Sequence, residues 1–317
     1  MRNPEQRRRG AQILEENMKY SSFEQIAEVC RNSETVKKVA VAGAADRHVL
    51  EAVIEARREG IAEPILVGDP EKIARGLAEL DCQPDSFGIV PAFSNQECGE
   101  KAVELVKAGR VDFLMKGMIE TRDIMKPLVA RENGLNTGRT MCVFTYNYVP
   151  QMTRLLAIAD GGMIPYPTLE QKKDIVENCV ESLHKLGIRR PTVAILAGVE
   201  KVNPKMPETT DAAALVEMNR NGEIEGCDIY GPISFDIFMD REIAEHKGYD
   251  CPCCGDFDCC IVPSMAAGNL MHKAMIICGG TKMAGVIVGA KVPVVLSSRG
   301  ASAEEKFVSM ALASLLS

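Results

Sequence analysis

The chain has no tryptophan, and aromatic residues make up only 5% of its 317 residues, so few rings are available to fill an interior. The core must therefore consist of Val, Ile, Leu, Ala and Met. Aliphatic and β-branched richness is typical of parallel strands that are buried on both faces. Apolar residues make up 46% and charged residues 26% of the chain, which indicates a globular protein and excludes an intrinsically disordered one.

Long apolar runs are also lacking, which disfavours a membrane span of about 18 residues or more. The nearest candidate, residues 284–296, is interrupted by Lys291 and Pro293. The net charge of −7 disfavours broad binding to nucleic acid or to a membrane surface, although a local positive field can still hold a small anionic ligand. Acidic residues among the N-terminal arginines argue against a transit peptide. We therefore predict a cytoplasmic protein that binds neither nucleic acid nor a membrane.

Metal and dinucleotide motifs are missing as well. The four histidines form no HExxH pattern, and no GxGxxG follows a predicted strand. Five of the 12 cysteines lie within CPCCGDFDCC (251–260), which lacks the two separate CxxC knuckles of a zinc ribbon. We predict free, buried or half-buried thiols there, and no metal site.

What the chain does contain is a regular alternation of strands and helices. The predicted strands cover residues 37–44, 64–68, 87–91, 111–115, 140–145, 155–159, 192–197, 227–230, 258–263, 286–289 and 294–297. The predicted helices cover residues 46–60, 70–80, 97–108, 169–187, 211–221 and 266–278, with one more after residue 300. This alternation predicts an α/β fold with mainly parallel sheets. Because the pattern restarts near residue 140, we predict a discontinuous first domain (1–140 plus 284–317) and a second domain (141–283).

The tail of the chain is the most informative segment. A β-branched run ends in SSRG (297–300), and a helix with an acidic first turn follows. Unpaired N–H groups and the helix dipole favour an anion at such a helix start, and Arg299 adds a forked donor suited to phosphate. The alternative is purely structural: Ser302 caps the helix, Glu304 and Glu305 complement the dipole, and Arg299 is solvated. Local features alone leave both open.

Further polar residues follow other predicted strands, where ligands of parallel sheets bind. A basic tract follows the fourth strand, an aspartate follows strand 155–159, and a Gly-Asn pair with a lysine follows strand 258–263. The candidates for substrate binding are Lys126, Arg139, Asp160, Asn269 and Lys273. For each of them the alternative is a solvated or capping side chain.

Eight segments, taken in order, resemble the phosphate acetyltransferase/phosphate butyryltransferase family over about residues 35 to 316, with the butyryl branch closer. They are DFLMKGMIETRDIMKPLV, NGLNTGR, DGGMIPYPTLEQK, VAILAGVEKVNPKMPETTDAAAL, CDIYGPISFD, HKGYD, AAGNLMHK and VIVGAKVPVVLSSRGASAEEKFVSMALA. The last of these is the most specific.

The resemblance implies reversible transfer of a short acyl group, butyryl, acetyl or similar, between coenzyme A (CoA) and inorganic phosphate. It implies two α/β domains of the isocitrate/isopropylmalate dehydrogenase type with the active site in the cleft between them, and a homodimer or higher homo-oligomer. CoA and phosphate are then substrates, and no resident cofactor or metal is needed. The family pattern assigns catalysis to Ser298, Arg299 and Glu305, and Lys126 matches an arginine of the acetyltransferase branch.

General chemistry is consistent with these roles. A thiol with a pKa near 8.5 needs a base, which a carboxylate supplies, before its thiolate attacks an acyl phosphate. A serine hydroxyl suits the oxyanion, and Arg299 and Lys126 suit the departing phosphate. Ile164 and Tyr230 depart from the family pattern, where Asn and Asp are expected. These departures leave open a non-catalytic CoA or acyl-phosphate binder. The shared fold leaves open a metal-dependent NAD decarboxylating dehydrogenase, although the sequence shows no metal-binding aspartate cluster.

Overall fold

The computed structural model describes residues 19–297 and 300–317. In chain order the strands are β1 (Lys37–Ala42), β2 (Ala62–Gly68), β3 (Gly88–Pro91), β4 (Phe113–Lys116), β5 (Cys142–Tyr148), β6 (Leu156–Ala159), β7 (Thr192–Leu196), β8 (Asp228–Ile233), β9 (Cys259–Ile261), β10 (Lys282–Val288) and β11 (Val294–Val295). The helices are α1 (Phe23–Asn32), α2 (Arg47–Arg58), α3 (Pro70–Ala78), α4 (Asn95–Lys107), α5 (Thr121–Val129), α6 (Leu169–Lys185), α7 (Pro207–Arg220), α8 (Phe235–Met239), α9 (Arg241–His246), α10 (Met265–Gly279) and α11 (Ala303–Leu316).

These elements divide into two compact units. The described residues of unit 1 are 22–139, 283–297 and 300–317, and those of unit 2 are 19–21 and 140–282. Compactness does not by itself show that a unit folds independently, so the domain boundaries given by the sequence stay a prediction.

Unit 1 contains a sheet in the strand order β3-β2-β1-β4-β11-β10. Its neighbouring strands are parallel, except that β10 runs antiparallel to β11. Residues 39–42 of β1 are all fully buried, as expected for a strand covered on both faces. Because β1, β2, β4 and β11 are parallel, their carboxyl ends lie along one edge of this sheet. Helix α11 packs against α1 and α2.

Unit 2 contains strands in the order β5-β6-β9-β7-β8. Here β5 and β6 are antiparallel, and the other neighbours are parallel. Its core gathers aliphatic side chains with Phe238 and Phe257, whose rings stack 5.5 Å apart. Tyr230 packs edge-to-face on Phe257, and Phe235 lies beside Phe238, so four of the chain's few rings gather here.

Local sequence explains where most helices begin. Asp46, Asp69, Ser94, Thr168, Ser264 and Ser302 each accept a hydrogen bond from a backbone N–H in the first turn of the helix that follows. Thr168 forms a full capping box with Gln171. The helix predicted over residues 46–60 thus begins at Arg47, with Asp46 as its cap.

The predicted α/β fold with mainly parallel sheets is confirmed. The sequence did not predict α1, α5, α8 or α9, nor the antiparallel pairs. Helix α5 was not predicted because it contains Pro127, and a proline usually ends a helix. Among residues 19–297 and 300–317, no helix combines the length and the apolar character that a membrane span requires.

A buried ion pair lies at the start of β9. Asp258 accepts hydrogen bonds from the backbone N–H and the hydroxyl of Thr192, both at 2.8 Å, and it also pairs with Arg154. Both charged side chains are about 95% buried, and Arg154 also contacts Asp256 at 3.0 Å. Because Arg154 and Thr192 occupy both carboxylate oxygens of Asp258, this network joins β7 and β9 and does not offer Asp258 to a ligand.

Candidate active site

The carboxyl ends of β1 and β4 approach each other at two glycines. The Gly117 N–H donates to the Ala42 carbonyl at 2.8 Å, and the Met118 N–H donates to the Gly43 carbonyl at 2.9 Å. A Cβ at Gly117 would collide with the Gly43 carbonyl oxygen, and Gly43 has a positive φ of 75°. Only glycine fits this approach, so the segments that follow both strands are brought side by side.

Strand β11 leads into the segment with the most specific sequence signal. Ser297 is buried, and the described chain resumes at Gly300. Ser298 and Arg299 lie outside the described residues, so their catalytic roles stay predictions.

Helix α11 begins directly after this segment. Ser302 is its N-cap, and its hydroxyl accepts from the Glu305 N–H at 3.1 Å. Glu304 and Glu305 occupy the first turn, as the structural alternative predicts, and Glu305 is half-buried while Glu304 is exposed. The capping role of Ser302 is therefore confirmed, and it is compatible with a catalytic role for Glu305, because a half-buried carboxylate still has an accessible side.

Lys306 is a charged residue that the sequence analysis missed. It is only 3% exposed, and its Nζ donates to the Ala301 carbonyl at 2.6 Å. Burial lowers the pKa of the Lys306 ammonium, while attraction from the carboxylates of Asp46 and Glu305 opposes the shift. The ammonium thus lies against the Ala301 carbonyl, immediately before the first turn of α11.

A signal for Lys306 was present in the sequence. Lys306, Met310 and Ala313 share one helical stripe, and the other two are fully buried. A lysine on an apolar stripe that faces the core is unusual, because lysine is rarely fully buried unless it is paired.

The predicted basic residues of unit 1 lie on exposed surfaces. Lys126 is exposed on α5, beside a cavity of about 490 Å³ that Arg122, Asp123 and Glu100 also line. Arg139 is exposed in a loop, where its backbone N–H donates to the Thr137 hydroxyl at 3.3 Å. The substrate-binding roles of Lys126 and Arg139 stay predictions.

Asp160 follows β6 and is only 3% exposed. Its carboxylate accepts backbone N–H bonds from Val143, Gly162 and Met163 at 3.1 Å and from Ile164 at 2.8 Å. Burial raises the pKa of Asp160, and these four bonds oppose the rise. The contacts indicate that Asp160 organises the loop of residues 160–164, and its predicted substrate contact stays a prediction.

Helix α10 carries the remaining candidates of unit 2. Asn269 and Lys273 are one turn apart and exposed, whereas His272 is buried. The His272 Nε2 lies 3.0 Å from the Thr145 hydroxyl, and burial lowers the pKa of His272 to about 4. A Cβ at Gly161 would come within 2.8 Å of the His272 Nδ1, so the Asp160 loop packs directly on α10.

The two departures from the family pattern both have local structural roles. Ile164 donates its N–H to Asp160, as described above. Tyr230 lies in β8 with its ring 5.8 Å from that of Phe257, in an edge-to-face arrangement. Burial raises the pKa of Tyr230 to about 12, so it does not replace a carboxylate as an anion at neutral pH.

The clustered cysteines form no disulfide. Cys254, Cys259 and Cys260 are buried, and Cys251 and Cys253 are half-buried, so the predicted free thiols are confirmed. The Cys251 and Cys254 side chains hydrogen-bond to each other, and burial raises the pKa of Cys251 to about 11. In the described part of the chain, no three His, Cys, Asp or Glu side chains are arranged to hold a metal ion.

Comparison with known proteins identifies the family. A family model described as phosphate acetyl/butaryl transferase matches residues 21–101 and 95–314, which is nearly the whole chain. The chain belongs to the phosphate acetyl/butyryl transferase family.

Individual relatives come from both branches of this family. A phosphate acetyltransferase from Thermotoga maritima is 43% identical over 293 residues, covering 92% of this chain and 99% of the relative. A phosphate butyryltransferase from Clostridium acetobutylicum is 40% identical over 295 residues, covering 93% and 98%. The predicted family is confirmed, and overall identity to the two branches is nearly equal.

Solved structures agree with this assignment. A branched-chain phosphotransacylase from Enterococcus faecalis superposes with a TM-score of 0.78 at 29% identity, over 89% of this chain and 99% of that one. A 4-hydroxythreonine-4-phosphate dehydrogenase from Klebsiella pneumoniae superposes at 0.56 with 13% identity, over 88% and 98%, and shows only that the fold is shared. The predictions that the chain is an enzyme, a phosphate acyltransferase with a dehydrogenase-like α/β fold, are confirmed at the level of the family.

Proposed function

We propose that this protein transfers a short acyl group of about two to five carbons reversibly between CoA and inorganic phosphate, a range that follows the acetyl and butyryl branches of the family resemblance. The observation that carries the proposal is the near-equal identity, 43% and 40%, to an acetyltransferase and a butyryltransferase over more than nine-tenths of the chain. Substrates of both branches are therefore the first to test.

The proposed chemistry starts with the thiol of CoA. Glu305 accepts the thiol proton, and the resulting thiolate attacks the carbonyl carbon of the acyl phosphate. A C–S bond forms, and the carbonyl electrons move onto oxygen, where the Ser298 hydroxyl stabilises the oxyanion. The electrons then return, the C–O bond to phosphate breaks, and inorganic phosphate leaves toward Arg299 and Lys126. The products are acyl-CoA and phosphate, with the thiol proton on Glu305 until phosphate or water takes it.

Three features of the described residues support this scheme. Glu305 is half-buried at the start of α11, which suits a carboxylate that must exchange protons with a ligand. Buried Lys306 is the next residue on α11, and the Glu305 carboxylate attracts its ammonium. The close approach of the ends of β1 and β4 also brings the segments after both strands side by side, at the edge of the sheet where β11 lies next to β4.

The partners that we propose are CoA, short acyl-CoA thioesters, acyl phosphates and inorganic phosphate. We propose further that the substrate-binding groups include Arg139, Asp160, Asn269 and Lys273, that the protein acts in the cytoplasm, and that it assembles as a homodimer or higher homo-oligomer. No resident cofactor enters the scheme, because every bond that forms or breaks belongs to a substrate.

The decisive experiment is a panel of acyl-CoA thioesters, from acetyl to valeryl, incubated with the purified protein and phosphate. We expect loss of thioester absorbance that requires phosphate and is absent with sulfate. Absorbance is preferable to a thiol reagent because the chain itself carries 12 cysteines. Loss that proceeds equally without phosphate, or no loss with any acyl group, would contradict the proposal. Thermal stabilisation by CoA without turnover would favour the non-catalytic binder instead.

A further inference from the structure

We propose that Lys306 is a positioning residue of the acyl transfer, whose buried ammonium holds the segment immediately before α11 in its working arrangement. This inference rests on the proposed function. It concerns a residue outside the predicted catalytic set, and it is drawn from the contacts of unit 1 alone.

The first support is the cost of placing a lysine there. Lys306 is 3% exposed, whereas a lysine normally keeps its ammonium in water. Burying a charge is unfavourable unless it is paired and hydrogen-bonded. A helix start needs no such residue for its own stability, because Ser302 already caps α11 and two glutamates complement its dipole. An apolar side chain would fill the same stripe of α11 without the cost of burying a charge, so the charge itself calls for an explanation.

The second support is what the ammonium contacts. Its Nζ donates to the carbonyl of Ala301 at 2.6 Å, and Ala301 is itself 3% exposed. Ala301 comes two residues after Arg299 in the sequence. A short, charge-assisted hydrogen bond at this point restrains the chain immediately after the predicted catalytic pair.

The third support is the pair of charges that interact with it. Asp46 caps α2 at the end of β1, where its side chain accepts from the Val49 N–H at 3.0 Å. Glu305 precedes Lys306 on α11. Both carboxylates attract the ammonium, one from α2 and one from its own helix. Lys306 therefore holds the segment before α11 by a direct hydrogen bond, and the carboxylates of Asp46 and Glu305 attract its ammonium electrostatically.

Such a connection matters because acyl transfer depends on alignment. A displacement of about 1 Å at a reacting group can lower a rate by about 100-fold. Lys306 does not need to touch a substrate to have this effect. Losing it should therefore lower kcat while leaving ground-state binding nearly unchanged.

The test compares three variants of the full-length protein in the acyl-CoA and phosphate assay. Lys306→Met removes the charge and the donor, Lys306→Gln keeps a donor without the charge, and Lys306→Arg keeps both. Lys38→Met is the matched control, since Lys38 is exposed at the opposite, amino end of β1. We expect Lys306→Met and Lys306→Gln to lower kcat at least 10-fold with KM values within threefold. Lys306→Arg should retain at least a third of kcat, and the control should match the wild type.

The pH profile separates positioning by charge from simple packing. Burial lowers the pKa of Lys306, so the ammonium deprotonates at alkaline pH. Its hydrogen bond to the Ala301 carbonyl then loses the charge and weakens. A guanidinium stays charged, so the alkaline fall of kcat should move to higher pH in Lys306→Arg. A kcat within threefold of wild type in both Lys306→Met and Lys306→Gln, or an alkaline limb that does not move in Lys306→Arg, would overturn the inference. If Lys306→Met does not fold, as its melting temperature would show, Lys306→Gln decides.

Failure of the inference and failure of the proposed function give different results. An active wild type with unaffected Lys306 variants overturns only the positioning role. A wild type with no phosphate-dependent turnover overturns the proposed function and the positioning role with it.

Discussion

Glu305 is the side chain on which the proposed proton transfer depends. Replacing it with Gln keeps its size and removes the base, and loss of a general base typically slows a reaction by about 100- to 10,000-fold. We expect Glu305→Gln to lower kcat by at least about 100-fold while the dissociation constant of CoA, measured by calorimetry, changes less than about threefold.

The neighbouring glutamate provides the control for this prediction. Glu304→Gln removes the same charge from the same first turn of α11, so it reproduces any effect on the helix dipole. Its kcat should stay near that of the wild type. Equal losses in the two variants would assign the effect to the helix start and remove Glu305 from the mechanism.

Asp160 has a structural role that its place in the sequence does not reveal, in addition to the substrate contact that we propose for it. Its position after a strand is typical of a ligand-binding aspartate. Four backbone N–H groups nevertheless converge on its carboxylate, which leaves little of its acceptor capacity for a ligand. What it most directly controls is the shape of the loop that packs on α10.

At the scale of elements, α10 contains a buried titratable group. The pKa of His272 is lowered to about 4 in the folded protein, against about 6.5 in an unfolded chain. Between these values the unfolded chain binds more protons, so acidification favours unfolding. The free energy of unfolding should therefore include a His272 contribution that falls by about 2 kcal/mol between pH 7 and pH 5.

Urea unfolding at the two pH values measures this contribution. His272→Gln should lose less stability on acidification than the wild type, by about 2 kcal/mol. His246→Gln is the control, because His246 is exposed at the end of α9. The same acid-induced loss in His272→Gln and in the wild type would show that His272 already binds its proton in the folded state.

At the scale of the whole molecule, the predicted oligomer is open to direct measurement. We expect sedimentation velocity at micromolar concentration to give a species of at least twice the chain mass of 34.5 kDa. A single species of one chain mass, still active in the acyl-transfer assay, would contradict the prediction. Activity and assembly should be followed at the same protein concentrations, so that dissociation and loss of turnover can be compared.

How far the sequence predicted the molecule depends on the range of the interactions involved. Apolar runs such as residues 37–44 and caps such as Ser302 depend on neighbours along the chain, and the structure has a strand and a cap at these places. Helix α5 was missed because Pro127 is locally a helix breaker, and only packing against α4 compensates for it. Lys306 was missed because one of the carboxylates that attract it belongs to Asp46, which is 260 positions away in the chain.

By itself the sequence determined the alternation of strands and helices, the free thiols and the membership of an acyltransferase family. Those properties follow from the period of apolar residues, the spacing of the cysteines and the order of the motifs, all of which can be read from the sequence. Only the tertiary structure decided that Asp160 is surrounded by backbone donors, that His272 is buried, and that a lysine lies beneath the start of α11. Burial and partnership arise when distant segments meet, and they set the charge and the accessibility of a side chain whatever its place in a motif.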